Sequence, residues 1–281
     1  MSDKQVQWEW EIKNQTTWLG ASLKELYSFK DLLFQLVRKD FLASYQQTLL
    51  GPFWVLLLPI LTVLTYVLVF SRVIGISTQG VPPLLYYLIG ITLWSLFSDI
   101  FLGVIPSFAQ YAHIFNKVYF PRIIVPLSIL LLHCLRFSIQ LALLILIFLY
   151  YYFKGKVNAG PFIIGIPVVI ITAGIAFGAG LFISIFTIRY RDLLGLVQFI
   201  MRLFMFVCPV FYSLAMVPAK VKWLVNENPL SSQFEAFRYA FVTKGQFSSA
   251  QFLYSAIVMV LLVAGGVLLF NKSCDKLMDV V

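Results

Sequence analysis

The sequence predicts an all-α integral membrane protein, and three observations carry that expectation. Hydrophobic residues make up 60% of the 281-residue chain and charged residues only 12%, about half the charged share of a soluble domain. Six apolar stretches recur along it, and about 20 apolar residues in a helix cross a bilayer core of roughly 30 Å. Residues 30–72 then hold in series a charged amphipathic segment, a Gly51-Pro52 break and a long apolar run, with no charged side chain from Phe41 to Ser71. This reads as a helix lying in the membrane interface that leads directly into a first span.

Composition also excludes several functions. A net charge of +9 in so apolar a chain is expected to face anionic lipid. The basic residues are scattered among spans and form no nucleic-acid recognition module. Cys134, Cys208 and Cys274 lie far apart, and His113 and His133 lack ligand-like companions, so neither a disulfide framework nor a metal site is expected. The first 40 residues are polar and charged, unlike a secretory signal, and the N-terminus is expected to stay in the cytoplasm.

Residues 1–29 are polar, with Trp8, Trp10 and Trp18 among them. From 30 to 47 a helix is expected. On a helical wheel Leu33, Phe34, Leu36, Val37, Phe41 and Tyr45 share an arc opposite Asp31, Gln35, Arg38, Lys39 and Gln46, while Asp40 and Leu42 fall on the wrong sides. The first span covers about 53–71, with Pro59 able to kink it, and a Gly- and Pro-rich turn follows to 83. Further spans are expected at about 84–105, 123–153, 161–188, 193–212 (ending near Cys208-Pro209) and 252–270. The third ends in Tyr150-Tyr151-Tyr152, an interfacial aromatic belt. In the fourth, Gly174 and Gly178 are spaced to let another helix of the chain approach closely.

Six spans put both termini on one side. Lys and Arg in the loops number twelve on the side of the termini and seven on the other, so the termini are expected inside. The domain reading is a cytoplasmic N-terminal segment with its interfacial helix (1–51), a six-span transmembrane domain (52–272) and a cytoplasmic tail (273–281).

Five pieces occur together in order: YQQTLLGPFWVLLLP at 45–59, FNKVYFPRIIVP at 115–126, RYRDLLGLVQF at 189–199, CPVFY at 208–212 and NPLSSQFEAFRYAF at 228–241. Together they resemble the permease subunits of ABC exporters for O-antigen, capsular polysaccharide and teichoic acid, over about residues 30–270. The resemblance implies two copies forming a channel in the bacterial inner membrane above two copies of a separate ATPase. The chain carries no GxxxxGK[ST] phosphate loop, so it is expected to bind no cofactor and not to be an enzyme by itself, with ATP and Mg in the partner. The expected cargo is a polysaccharide linked to a polyprenyl diphosphate, most simply of O-antigen type.

The resemblance also distributes roles. Phe115, Lys117, Phe120, Pro121 and Arg122, with Arg189, Arg191 and Asp192, would meet the ATPase. Independently of the resemblance, the position and charge of Arg38 and Lys39 just before the first span, with Tyr45, make them the expected receptors of the lipid head group, for which the competing reading is anchoring of Arg38 and Lys39 to phospholipid. Trp54, Tyr66, Phe204, Phe211 and Tyr212 would line the path, where ring faces let sugars slide. Residues 213–244 would form short re-entrant helices at the external mouth. Charges within spans are costly; Asp99 and Arg136 read as a structural pair, and Arg202 either pairs or faces a hydrated path.

Other functions stay open at this point. Within transport they are a permease for teichoic acid, capsule, a drug or a smaller lipid, or a proton- or sodium-coupled flippase, which would need more buried ionisable groups. The different class is a membrane-embedded transferase. It would need a carboxylate pair or a His with a carboxylate near one interface, where the external loops offer little beyond Glu227 and Glu235.

Overall fold

The computed structural model describes residues 23–108, 110–111, 120–190 and 192–277. Every regular element among them is helical. In order these are α1 (Leu23–Ser28), α2 (Lys30–Tyr45), α3 (Trp54–Tyr66), α4 (Pro83–Val104), α5 (Ile124–Phe153), α6 (Gly165–Arg189), α7 (Leu193–Val207), α8 (Ala219–Glu227), α9 (Pro229–Val242) and α10 (Ser249–Leu277). Five helical stretches are long and apolar enough to cross a membrane: Gly51–Val73, Pro83–Val104, Ile124–Phe153, Phe162–Thr187 and Ser249–Lys272. Helices suit that setting because each satisfies its own backbone hydrogen bonds where water is absent.

The spans are not equivalent. Inside the chain 72% of the α4 window and 61% of the Phe162–Thr187 window are buried, against 17% for Gly51–Val73 and 11% for Ser249–Lys272. α4 is therefore the central post, with α5 and α6 against it and α3 on a further side. α10 lies outermost and holds chiefly to α6. The expected close approach occurs there: a Cβ on Gly178 would stand 2.5 Å from the Leu262 carbonyl carbon. Packing of small residues is a main attraction between helices in lipid, where no hydrophobic drive separates them from the solvent.

Local chemistry sets the boundaries. Gln47 and Gly51 take positive φ values of 60° and 54°, so α2 ends and the chain turns before Pro52 opens a 3₁₀ turn, Gly51–Phe53, into α3. Nothing lies within 4 Å of a Cβ built on Gly51; the glycine serves the backbone angle and not a tight fit. α3 keeps Pro59 in its interior and continues into a wide π-type segment, Val67–Val73, which the sequence did not announce. Asn228 caps α9 by accepting from the Leu230 N–H at 3.0 Å, with Pro229 in its first turn, a favoured combination.

The fifth apolar segment ends near Cys208-Pro209, as expected, and so stops short of Tyr212. α7 stops at Val207, and Cys208 is extended (φ −78°, ψ 143°). Pro209 accounts for this, since proline pushes the residue before it out of the helical region. Two short helices, α8 and α9, occupy the stretch before α10, and α9 is buried along most of its length. Trp8, Trp10 and Trp18 lie outside the described residues.

Candidate functional site

The interfacial helix is stitched to the bundle by polar groups. Leu36 and Val37 are buried on its inner face, whereas Phe34, assigned to the same arc by the wheel, is 63% exposed. Asp40, on the wrong side of that wheel, instead accepts a hydrogen bond from the Tyr111 hydroxyl. One turn on, Ser44 Oγ accepts from Arg136 Nη2 at 2.8 Å. The Arg136 guanidinium also stands 5.6 Å from the centre of the Tyr45 ring, and Lys39 Nζ stands 5.8 Å from that of Tyr111. Arg38 and Lys39 are otherwise exposed. α2 is thus tied both to the segment that follows α4 and to α5.

Burial first, then the hydrogen bond and charge of Asp40, push the Tyr111 phenol above its ordinary pKa of 10.0. A raised folded-state pKa means that its stabilising contribution is whole below the unfolded value, about pH 10, and is lost as pH rises through the folded one. Ultraviolet titration is expected to show equal numbers of tyrosinates just above pH 10 in the parent chain and in Tyr111→Phe, because the Tyr111 signal is missing there in both. Asp40→Asn should bring that missing signal back toward pH 10; ionisation of Tyr111 with the exposed tyrosines in the parent chain would contradict the tie.

Between α3, α4 and α5 lies a cleft of about 570 Å³. Trp54, Leu58, Thr62 and Tyr66 of α3 recur on its wall at helical spacing, a run of about 18 Å at 1.5 Å per residue. Trp94, Ser95 and Asp99 face them from α4, with Arg136 and Gln140 from α5 and Ser44 and Tyr45 from α2. Asp99 and Arg136 share the cleft; no ion pair within 4.0 Å joins them among the described residues, but the Arg136 charge acts on the Asp99 carboxyl across it. A smaller cavity of about 380 Å³, which shares Ser44 and Arg136 with it, is also lined by Asp40, Tyr111 and His133, among others.

The remaining path candidates divide. At the far end of the cleft, Phe211 is 2% exposed, stacked on Phe70 with ring centres 4.7 Å apart and set edge-on to Tyr66 at 4.7 Å. In this conformation its ring faces neighbours and not open space. Phe204 is half-buried against Trp94 and Phe97. Tyr212 donates to the carbonyls of Phe206 and Val207. Arg202 is exposed on α7 and does not line the cleft.

Of the residues expected at an ATPase contact, Phe120 is buried at 5% exposure, and Pro121 and Arg122 are half-buried. The Pro121 and Arg122 carbonyls accept from the N–H groups of Ile124 and Val125, so this segment forms the first turn leading into α5. Asp192 is exposed where α7 begins. Arg189 closes α6. Phe115, Lys117, Arg191 and the side chain of Arg189 lie outside the described residues.

A second polar centre went unassigned in the sequence. Arg238 and Glu235 on α9 form an ion pair of 2.9 Å with side chains only 1% and 0% exposed. Arg238 also donates to the carbonyls of Pro209, Val210 and Tyr212, and Glu235 accepts from the N–H groups of Leu214 and Gln246. Their i, i+3 spacing was the available signal.

With this arrangement in view, similarity to known proteins places the chain. Residues 31–242 match the family model for the ABC-2 type transporter. The chain belongs to that family. Two proteins of Klebsiella pneumoniae named O-antigen export system permease protein RfbA are each 28% identical to it, over 86% and 89% of this chain and 92% and 96% of their own. A Myxococcus xanthus protein of the same name is 25% identical over 78% of this chain and 83% of its own. As an ABC-2 transporter chain with five membrane-length helices and a shorter apolar one, it is a multi-pass membrane protein.

Proposed function

We propose that this chain is the channel-forming permease of an ATP-driven exporter that carries a lipid-linked polysaccharide of O-antigen type out of the bacterial cytoplasm. The observation carrying this reading is the nearly full-length similarity to permeases named for O-antigen export. The interfacial helix, the aromatic and polar cleft beside the first span and the absence of a phosphate loop support it. Two copies pair, with the exposed leucines of α3 and the exposed face of α7 available to line a shared path. A separate ABC ATPase, also in two copies, binds ATP and Mg and pushes on the segment around Arg122 and on the Asp192 turn. Both termini lie on the cytoplasmic side of the inner membrane, as the loop charges favour.

Arg38 and Lys39 then meet the arriving diphosphate, which basic side chains suit. The test uses the chain reconstituted with its ATPase in vesicles of neutral lipid, together with lipid-linked polysaccharide. Wild type is expected to show glycolipid-stimulated ATP hydrolysis and ATP-dependent movement of the polymer across the bilayer. Arg38→Gln with Lys39→Gln is expected to lose the stimulation while keeping basal hydrolysis. Absence of polymer transport by wild type would sink the function. Normal stimulation in the double variant would reduce both residues to phospholipid anchors.

A further inference from the structure

The cleft between α3, α4 and α5 contains more polar chemistry than a smooth aromatic slide requires. Asp99 makes no hydrogen bond or ion pair among the described residues. Gln140 is 7% exposed, lines the cleft, and leaves its Oε1 without a partner. Arg136 spends one nitrogen on Ser44 and leaves Nε unpartnered. Buried polar atoms without partners are costly, so a cluster left in this state is suited to a ligand that supplies the missing bonds. The opposite wall is aromatic, with the half-buried Trp54 at the Tyr45 end and Tyr66 beyond.

We propose that this cleft is a transient subsite for one uncharged sugar unit of the exported glycan, with a pyranose face on Trp54 and hydroxyls bonded by Asp99, Arg136 and Gln140. The proposal rests on the export reading above and deepens it. Its chemistry follows from the mixture of groups. A sugar hydroxyl both donates and accepts. It can give its proton to the Asp99 carboxyl or to Gln140 Oε1 and accept from Arg136 or the Gln140 amide. A phosphate oxygen only accepts when ionised, so a diphosphate in the same place would leave Gln140 Oε1 unpaired and set its charge beside Asp99. The cleft therefore favours sugar over the diphosphate that leads it, and separates this place from Arg38 and Lys39 outside. Few bonds and one ring face give weak binding, as transit demands: a unit must be held well enough to enter and loosely enough to leave.

The test uses the complex as it isolates, in lipid nanodiscs without glycoside detergent, with methyl hexopyranosides and their N-acetylamino counterparts as probes. Saturation-transfer NMR is expected to show transfer to ring C–H protons in wild type. Affinity should fall roughly tenfold, the scale of one lost bond to a charged or strongly polar group, in Trp54→Leu, Asp99→Asn and Gln140→Leu. Phe153→Leu, exposed at the last residue of α5, should leave it unchanged. Tryptophan emission and gel filtration confirm that each variant is folded, and Asp99→Asn preserves shape where Asp99→Leu would not. No transfer from any probe to wild type, or transfer indifferent to all three cleft variants, overturns the subsite. So does inorganic pyrophosphate binding that Arg136→Gln abolishes while hexosides do not bind. Polymer export is measured on the same preparation. Export without hexoside binding removes the subsite and leaves the function, whereas cleft-dependent hexoside binding without export removes the function and leaves a sugar site.

Discussion

Replacing Arg238 with methionine is expected to destabilise the chain by about 3–5 kcal/mol, the range for breaking a buried ion pair from one side. Four acceptors depend on that guanidinium: Glu235 and the carbonyls of Pro209, Val210 and Tyr212. Its carbon centre also lies 4.6 Å from the middle of the Tyr86 ring on α4. The three carbonyls belong to the stretch where α7 has ended and Pro209 forbids a helix, so no neighbouring N–H of a continuing helix serves them. Buried backbone carbonyls outside a helix need partners from elsewhere in the protein, and Arg238 supplies them here. The variant should give a lower yield of monodisperse protein and a clearly lower midpoint of thermal unfolding. Glu235→Gln combined with Arg238→Met should lose less than the two single losses added, because the pair is coupled. An unchanged midpoint in Arg238→Met would show that the centre is not what holds 209–214.

Hydropathy made the long helices legible because a span is a bulk property. Some 20 consecutive residues must agree, and one atypical side chain such as Asp99 or Arg136 does not erase the pattern. Boundaries set by backbone geometry were legible where the residue itself imposes it, as at Gly51-Pro52 and Asn228-Pro229. The end of α7 was legible at Cys208-Pro209, because Pro209 decides the backbone although the apolar run continues to Tyr212. The π-type close of α3 had no residue to announce it: Val67 to Val73 is as helix-compatible as the turns before.

The candidate site was legible only in part. Trp54 and Tyr66 were named because the resemblance implies path-lining aromatics on the first span, and both line the cleft. Its other wall, Trp94, Asp99, Arg136 and Gln140, comes from two helices about 40 residues apart, and no one-dimensional period brings these together. Asp40 shows the same limit. A helical wheel divides residues into apolar and polar faces, so a carboxylate that faces inward to meet Tyr111 registers as an error of amphipathicity. The partner, 71 residues away in sequence, is what makes the inward position favourable.

The largest effect away from α9 is expected at the seam between α6 and α10. A valine at position 178 would place its Cβ 2.5 Å from the Leu262 carbonyl carbon and 2.6 Å from the Val263 nitrogen. Both are backbone atoms, which cannot rotate away as a side-chain tip does, so the two helices must separate. Overpacking a well-filled contact costs about 1–3 kcal/mol, and here lost contacts on both sides of the widened seam add to it. Because so little of α10 is buried elsewhere, it has few other contacts with which to hold its place. Gly265→Val provides the comparison within the same pair of helices, since nothing lies within 4 Å of a Cβ there. Both substitutions replace glycine by the same residue in a helix, so intrinsic propensity is nearly shared and the difference isolates the close approach. Gly178→Val should lower the unfolding midpoint by several degrees and make α10 accessible to protease in detergent, while Gly265→Val stays near the parent. Equal behaviour of the two would mean that α10 is retained by something other than backbone contact across Gly178.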